Sequence, residues 1–323
     1  MGHTRALTKV KYNSEGDLLF SVSKDNQPSV WYSHNGERLG TFDGHNGTVW
    51  DIAISRDSNL LLTASADNTC RLWNINNGVQ LFQWTTLSAV RSVDFAEGDH
   101  KALFVTDATM GNKSTIHVVN IQSNTAKQTS KIESQIVITG SKATQARWGK
   151  LNKTIITGHD DGTVSIWDAE TGDILDSNKK HTGPITDIQF GKTKDYFITS
   201  SKDCTATVFT AEPLKVFKRY ETERPVNSAA ISPLKPQIVL GGGQDAMNVT
   251  TTSAKQGKFE VRFYHLVFEE EIGRVKGHFG PINTLAFHPS GTGYASGGED
   301  GFVRVHHFDD NYFKFRFPEE KEV

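Results

Sequence analysis

Histidine, serine and aspartate recur together in this chain at fixed distances, and these three residue types could build a hydrolytic triad. In one copy His45 lies 22 positions before Asp67, and Ser65 stands two positions before the same aspartate. In a triad the histidine takes a proton from the serine hydroxyl, and the aspartate orients the imidazole. The copy ends at Trp73, six positions after the aspartate. An indole has no part in that chemistry, so a structural interpretation must be weighed as well.

The same spacing recurs along the whole chain, which favours the structural interpretation. The residues at the repeat positions are His3, Ser23, Asp25 and Trp31; His45, Ser65, Asp67 and Trp73; Asp161 and Trp167; His181, Ser201, Asp203 and Phe209; and His278 and Asp300. A single catalytic site would need one such set, whereas a repeated unit of about forty residues indicates a repeat architecture. We therefore expect the repeat residues to join in buried hydrogen-bonded networks, and we expect no catalytic residue.

In such a network each polar group satisfies another. We expect Asp67 to accept hydrogen bonds from the amides of its own turn and from His45, and Ser65 to relay the network to the indole N–H of Trp73. On this interpretation, Asp67→Ala lowers the melting temperature and leaves the affinity for surface partners nearly unchanged.

The elements that position these residues are short strands, because no stretch shows a helical period and turn residues separate the apolar runs. Seven units follow one another, and each is predicted to form four antiparallel strands. The third strand of unit six is expected at Phe263–Leu266, after an insertion, and the outer strand of unit seven at Tyr312–Phe317. The predicted blades span residues 1–42, 43–84, 85–138, 139–178, 179–220, 221–275 and 276–317, with a tail at 318–323.

Each twisted sheet cannot bury both faces alone, so neighbouring sheets must stack, and seven of them close a ring. The predicted fold is therefore all-β, a seven-bladed β-propeller. The 35 Lys and Arg nearly balance the 37 Asp and Glu, so any contact with RNA would be local. Cys70 and Cys204 are expected to remain reduced in a cytoplasmic protein.

Motifs for cofactors and metals are missing from the sequence. Gly241–Gly243 is not followed by a lysine at phosphate-binding spacing, and His306 and His307 are adjacent on a strand, so they point to opposite faces. No apolar run approaches the length of a membrane span. We expect no cofactor, no metal, no small-molecule substrate and no membrane contact.

Gly-His, a turn aspartate and then Trp or Trp-Asp at this spacing resemble the WD40 repeat family over the whole chain. Within that family, residues 13–45, 239–266 and 268–307 resemble the i subunit of eukaryotic translation initiation factor 3. The insertion with Thr250–Ser253 makes this resemblance specific. Members usually carry a lead-in strand before the first Gly-His, and here Tyr312–Phe317 is expected to supply the outer strand of blade seven instead.

The resemblance implies a non-catalytic scaffold subunit that binds the b and g subunits of the factor and supports recruitment of messenger RNA and the small ribosomal subunit. We expect contacts with a helical partner on blade five, where an exposed aromatic flanked by charges would act as an anchor. The candidate residues are Lys194, Asp195, Tyr196, Glu212 and Lys215. The alternative is that they form ordinary solvated turns.

Three other functions are weighed against this one. A scaffold similar to the kinase-receptor-associated WD40 protein is a near relative in sequence, but the blade-six insertion favours the initiation factor. Ubiquitin-ligase substrate receptors usually have Arg two residues after Trp-Asp, whereas Trp167-Asp168 is followed by Ala169 and Glu170. A hydrolase using the central channel would need unmatched acids or histidines on the innermost strands, where we expect mainly small, apolar or ordinary polar residues.

Overall fold

The computed structural model describes residues 2–109, 111–244 and 259–316 of the chain. Over these ranges the backbone forms seven antiparallel sheets, built from short segments rich in valine, isoleucine, leucine and threonine. The predicted insertion with Thr250–Ser253, the last position of the predicted strand, Phe317, and the tail at 318–323 lie outside the described residues.

The first four sheets contain four strands each. Their strands are β1 Leu7–Tyr12, β2 Leu18–Ser23, β3 Ser29–Tyr32 and β4 Arg38–Thr41; β5 Val49–Ile54, β6 Leu60–Ser65, β7 Thr69–Asn74 and β8 Gln80–Thr85; β9 Val90–Phe95, β10 Lys101–Thr106, β11 Thr115–Asn120 and β12 Ile132–Val137; and β13 Ala143–Trp148, β14 Thr154–His159, β15 Val164–Asp168 and β16 Ile174–Asn178.

The remaining three sheets follow the same order. Their strands are β17 Ile185–Phe190, β18 Tyr196–Ser201, β19 Thr205–Thr210 and β20 Lys215–Glu221; β21 Val226–Ile231, β22 Gln237–Gly242, β23 Glu260–His265 and β24 Glu271–Lys276; and β25 Ile282–Phe287, β26 Gly293–Gly298 and β27 Val303–His307. The third strand of unit six therefore begins earlier than the predicted Phe263, which corrects that prediction.

The sheets close into a ring through their first strands. Consecutive strands are neighbours in every sheet, and the first strand of each sheet contacts the first strand of the next, with β1 also contacting β25. The predicted seven-bladed β-propeller is confirmed. Its core lies between adjacent blades, where side chains of one sheet interlock with those of the next: Phe42, which follows β4, packs against Trp73 of β7 with ring centroids 5.9 Å apart.

The predicted outer strand at Tyr312–Phe317 is wrong over the described part of that segment. A short helix, α1, spans Asp310–Lys314, and Asp309 caps it by accepting the Tyr312 amide at 2.9 Å. The helical turn lets the ring of Tyr312 stack on that of Phe308, with centroids 3.9 Å apart. Among the described residues, blade seven therefore has three strands and not four.

Little else interrupts the sheets. Among the residues that the structure describes, the other helical segments are two 3-10 turns, Thr125–Lys127 and Lys150–Asn152. In the ranges that the structure describes, no helix has the length and apolarity that a membrane crossing requires. Cys70 and Cys204 are free thiols.

Candidate functional site

The repeat residues of blade two meet in one continuous network between the loop before β5 and strands β6 and β7. His45 Nδ1 lies 2.8 Å from Asp67 Oδ2, so the imidazole donates to the carboxylate there. Its Nε2 lies 2.6 Å from the hydroxyl of Thr63, and the indole N–H of Trp73 donates to the same hydroxyl at 2.9 Å. With Nδ1 protonated, Nε2 accepts from Thr63, and Thr63 accepts from Trp73.

The predicted relay through Ser65 is wrong. Ser65 Oγ donates to the carbonyl of Gly47 and accepts the Asp67 amide, each at 3.2 Å, and it does not bond the indole. The reason is register: Trp73 pairs with Leu61 across the two strands, so the hydroxyl within reach of its N–H is that of Thr63, two residues along the same face.

A hydroxyl residue occupies the corresponding position in five blades. These residues stand four positions before the repeat aspartate and are Ser21, Thr63, Thr157, Thr199 and Ser296. This constant spacing was present in the sequence and could have identified the relay. Serine also recurs two positions before three of the aspartates, so the sequence offers two candidate positions for the relay.

Blades one, five and seven repeat the geometry with small changes. The Nε2 atoms of their histidines lie 2.7, 2.7 and 2.9 Å from the relay hydroxyls, in the pairs His3–Ser21, His181–Thr199 and His278–Ser296. Their Nδ1 atoms lie 2.9 to 3.1 Å from the carboxylates, in the pairs His3–Asp25, His181–Asp203 and His278–Asp300. Trp31 donates to Ser21 at 2.7 Å. The remaining serines, Ser23 and Ser201, accept the amides of Asp25 and Asp203.

Blade four lacks the leading histidine and supplies one from its own second strand. His159, at the position that serine occupies in blade two, places Nε2 2.8 Å from Thr157 Oγ1 and Nδ1 2.9 Å from the carbonyl of Ser141. Trp167 donates to Thr157 at 2.8 Å, as in the other blades. Asp161 is left without an imidazole partner and pairs with Lys179 at 3.0 Å. Gly158-His159 is the sequence signal for this substitute histidine.

The protonation states follow from burial and hydrogen bonding. Burial by itself would raise the pKa of Asp67, but the hydrogen bonds from His45 and Thr69 outweigh it and hold the pKa well below its usual range. Burial lowers the pKa of His45, although Asp67 opposes that shift. The imidazole is therefore neutral at pH 7. Thr63 is fully buried and His45 nearly so, which leaves no surface from which a substrate could reach the hydroxyl.

The innermost strands carry buried charges, which corrects the expectation of small, apolar or ordinary polar residues there. Arg147 of β13 bonds Asp51 of β5 at 2.7 Å, and Lys9 of β1 pairs with Asp187 of β17. The basic partners hold the pKa values of both carboxyls below their usual range against the opposing effect of burial. Each pair joins non-adjacent blades across the centre of the ring. The acids are matched by bases, whereas a channel hydrolase would need unmatched ones.

A cavity of about 720 Å³, lined in part by residues at the starts of the innermost strands, lies at one mouth of the central channel. Its charged lining is partly paired: Arg91 lies 2.6 Å from Asp107 and stacks over Trp50 at 4.6 Å, and Lys142 lies 3.7 Å from the same carboxylate. Within the described ranges, no three His, Cys, Asp or Glu side chains converge where a metal ion could bind.

The five residues predicted to contact a partner occupy one edge of blade five, in two environments. Lys194 pairs with Glu97 of blade three at 3.1 Å and Asp195 with Lys150 of blade four at 2.6 Å, so both charges are tied to other blades. Tyr196 is half-buried and packs against the core between blades five and six. Glu212 and Lys215 are exposed, in the turn before β20 and at its start.

An exposed apolar strip that sequence reasoning missed continues from Lys215. Val216 and Phe217 lie on the outer strand of blade five, and Phe217 is 50% exposed. Val267 and Phe268 lie in the turn after β23 of blade six, and Phe268 is 41% exposed. We call these four residues the blade 5–6 strip. In the sequence, the adjacent apolar residues Val216 and Phe217 directly after Lys215 indicate this exposed apolar surface.

Two contacts hold the two parts of the strip together. Lys218 pairs with Glu269 at 2.9 Å, and Tyr220 donates its hydroxyl hydrogen to the carbonyl of Leu266 at 2.7 Å. The ring of Phe268 stacks on His265 with centroids 4.4 Å apart. The strip residues are therefore exposed apolar side chains on two blades that these contacts join, with charged residues beside them, as at many protein-binding surfaces.

Comparison with known proteins decides the family. The EIF3I family model matches residues 1–318. The chain belongs to the family of eukaryotic translation initiation factor 3 subunit I. Among its relatives, the subunit I proteins of Drosophila willistoni, Bombyx mori and Schizosaccharomyces pombe are 53%, 51% and 50% identical. The alignments cover 97%, 99% and 98% of this chain and 98%, 98% and 97% of those proteins.

Membership of the subunit I family agrees with the resemblance of residues 13–45, 239–266 and 268–307. The repeat networks recur in five blades of this chain, so they are a feature of the repeat and do not mark a single site. The features that differ from blade to blade are the blade 5–6 strip, the substitute histidine of blade four and the three-stranded blade seven.

Proposed function

We propose that the chain is a non-catalytic scaffold subunit of eukaryotic translation initiation factor 3, acting in the cytoplasm. It binds the b and g subunits and, through them, supports recruitment of messenger RNA and the small ribosomal subunit. Family membership supports the role in initiation, and burial of every His–Asp network supports a structural role for those residues. A scaffold needs an exposed surface for its partners, and the blade 5–6 strip supplies one.

The exposed aromatic pair in the strip is the observation that carries the proposed contact with the b subunit. Phe217 and Phe268 present two large apolar side chains on an ordered surface, and such anchors account for much of the affinity of protein interfaces. Lys215 and Glu212 border the strip with charge of both signs. An amphipathic helix of the b subunit would place its apolar face on the aromatic rings and its polar edges against these charges.

The test is a binding titration of the purified chain with the C-terminal part of the b subunit, by calorimetry. Phe217→Ser with Phe268→Ser should weaken binding at least tenfold, because both apolar anchors are lost. The matched control is Leu175→Ser, since Leu175 holds the same place on the outer strand of blade four and is 56% exposed. All variants should keep the wild-type melting temperature within a few degrees. Equal affinity of the double variant and the wild type would overturn the proposed contact.

A further inference from the structure

Blade three has lost the relay network that five other blades carry. Counted from the starts of the first two strands of each sheet, Thr86 takes the place of His45 and Phe104 takes the place of Thr63. The pairing of β10 with β11 has the same register as that of β6 with β7, and it places Val119 at the tryptophan position. Blade three therefore lacks the imidazole, the relay hydroxyl and the indole.

A cavity of about 560 Å³ lies at these altered positions. Thr86 and Phe104 both line it, so it borders the places that the imidazole and the relay hydroxyl occupy in blade two. Ile132 and Val137 of β12 also line it, and Val137 is 48% exposed, so the cavity reaches the surface of the blade. A cavity of this volume is typical of sites that bind small organic molecules.

Three rings follow one another along the lining of this cavity. The ring centroids of Trp84 and Phe104 are 6.2 Å apart, and the ring of His117 stacks on that of Phe104 at 4.9 Å. Trp84 is 2% exposed, and its indole N–H has no acceptor among the described residues. The lining therefore offers aromatic surface to an apolar ring and a free donor to an acceptor oxygen.

The charges of the lining favour an anionic ligand. The described lining residues include Lys113, which is exposed, but no Asp or Glu. No carboxylate in the described ranges pairs with Lys113. Burial lowers the pKa of His117 to about 4, so its imidazole is neutral at pH 7. An anionic group at the rim would therefore meet a cation and no opposing acid.

We propose that blade three binds a small aromatic carboxylate in this cavity. The aromatic ring of the ligand packs against Phe104, and its carboxylate lies towards Lys113. Blade four separates the cavity from the blade 5–6 strip. Ligand binding therefore does not require the proposed contact with the b subunit.

Two probes that share one ring test the proposed ligand class. Indole-3-acetate carries a carboxylate, and tryptamine carries an ammonium group on the same indole. The purified, 15N-labelled chain is titrated with each probe, and its tryptophan N–H resonances are followed by NMR, with Trp84→Phe identifying the resonance of Trp84. Indole-3-acetate should shift that resonance saturably. Tryptamine should bind about tenfold more weakly, because it brings a second cation towards Lys113.

Two pairs of variants locate the site. Lys113→Glu should weaken binding of indole-3-acetate about tenfold, whereas Lys127→Glu, exposed on the same blade and outside the lining, should leave it unchanged. Val137→Trp should abolish binding by filling the mouth of the cavity, whereas Val79→Trp, at a 54% exposed position of blade two, should retain it. All four substitutions lie at exposed positions, so the melting temperatures should stay close to that of the wild type.

Several results would overturn the proposed site. They are the absence of a saturable shift at Trp84, equal affinity for the two probes, and equal effects of Lys113→Glu and Lys127→Glu. Unchanged binding to Val137→Trp would also overturn it, because the probe would then lie elsewhere on the chain.

Discussion

Replacing Thr63 by valine tests the observed relay most sharply, because it removes a hydroxyl and keeps the shape of the side chain. In the wild type that hydroxyl accepts from Trp73 and bonds His45, at 2.9 and 2.6 Å. Thr63→Val leaves the indole N–H and the imidazole Nε2 buried without a partner. Ser65→Ala, by contrast, removes two longer bonds, both of 3.2 Å.

The magnitudes follow from the number of polar groups left unsatisfied. A buried donor or acceptor without a partner costs about 1–3 kcal/mol, so the two groups left unpaired by Thr63→Val should lower the free energy of unfolding by about 2–6 kcal/mol. Ser65→Ala should lower it by about 0.5–1.5 kcal/mol, the usual net contribution of a hydrogen bond. In a chain of this size each kcal/mol lowers the melting temperature by about 2 °C.

Blade five supplies an internal control for the same substitution. Thr199 Oγ1 lies 2.7 Å from His181 Nε2, but the residue at the tryptophan position is Phe209, which has no N–H to satisfy. Thr199→Val should therefore cost less than Thr63→Val. Urea unfolding of the three variants and the wild type, followed by circular dichroism, measures all the differences. If Ser65→Ala proves as destabilising as Thr63→Val, the assignment of the relay is wrong.

Three further predictions concern polar groups elsewhere in the ring. His159→Ala should lower the free energy of unfolding by about 1–3 kcal/mol in urea, because Thr157 loses one of its partners and the Ser141 carbonyl loses the imidazole. Lys179→Ala should change it by less than about 0.5 kcal/mol. Asp51→Ala should lower the free energy of unfolding by about 3–5 kcal/mol, because it leaves Arg147 buried and unpaired. The double variant Asp51→Leu with Arg147→Met should be less destabilised in urea, because it removes both charges. Equal destabilisation of the two variants would argue against the buried pair. Burial lowers the pKa of His117 to about 4. Between pH 6.5 and pH 4 this imidazole is therefore protonated only in the unfolded chain, so the free energy of unfolding falls as the pH falls. The free energy of unfolding is measured by urea melts at pH 7.5 and at pH 4.5, and the decrease between the two should be about 2 kcal/mol smaller in His117→Gln than in the wild type. An equal decrease in the two proteins would contradict the assigned pKa.

The spacing of the repeat residues was sufficient to predict the propeller. His45 and Asp67 come together because the loop before β5 and the turn after β6 lie side by side, and one strand pair of fixed length separates them. The number of residues in that strand pair can be counted in the sequence, so the His–Asp spacing was predictable. The choice between Thr63 and Ser65 as the relay depends on which residue faces Trp73 across two strands, and a spacing count does not contain the register.

The end of the chain illustrates a second reason why prediction failed. Alternating apolar residues from Tyr312 favoured a strand, but Asp309 caps a helical turn and Phe308 offers a ring on which Tyr312 stacks. The hydroxyl of Tyr312 also donates to Gln237 of blade six at 2.6 Å. Tertiary contacts of this kind override a short periodic pattern.

The candidate partner surface shows the limit of sequence reasoning about sites. Lys194 and Asp195 resembled free charges in a turn, but Glu97 and Lys150 come from other blades and pair with them. Which residues remain available to a partner depends on neighbours that are far away along the chain. The blade 5–6 strip became visible only when its two halves were placed side by side.

Affinity purification of the tagged chain from cell extract, followed by mass spectrometry, tests the proposed scaffold function most directly. We expect recovery of the b and g subunits of translation initiation factor 3 together with small ribosomal subunits. The variant with Phe217→Ser and Phe268→Ser should lose the b subunit, while Leu175→Ser should retain it. Recovery of a ubiquitin-ligase adaptor instead, with no subunit of the initiation factor, would contradict the account.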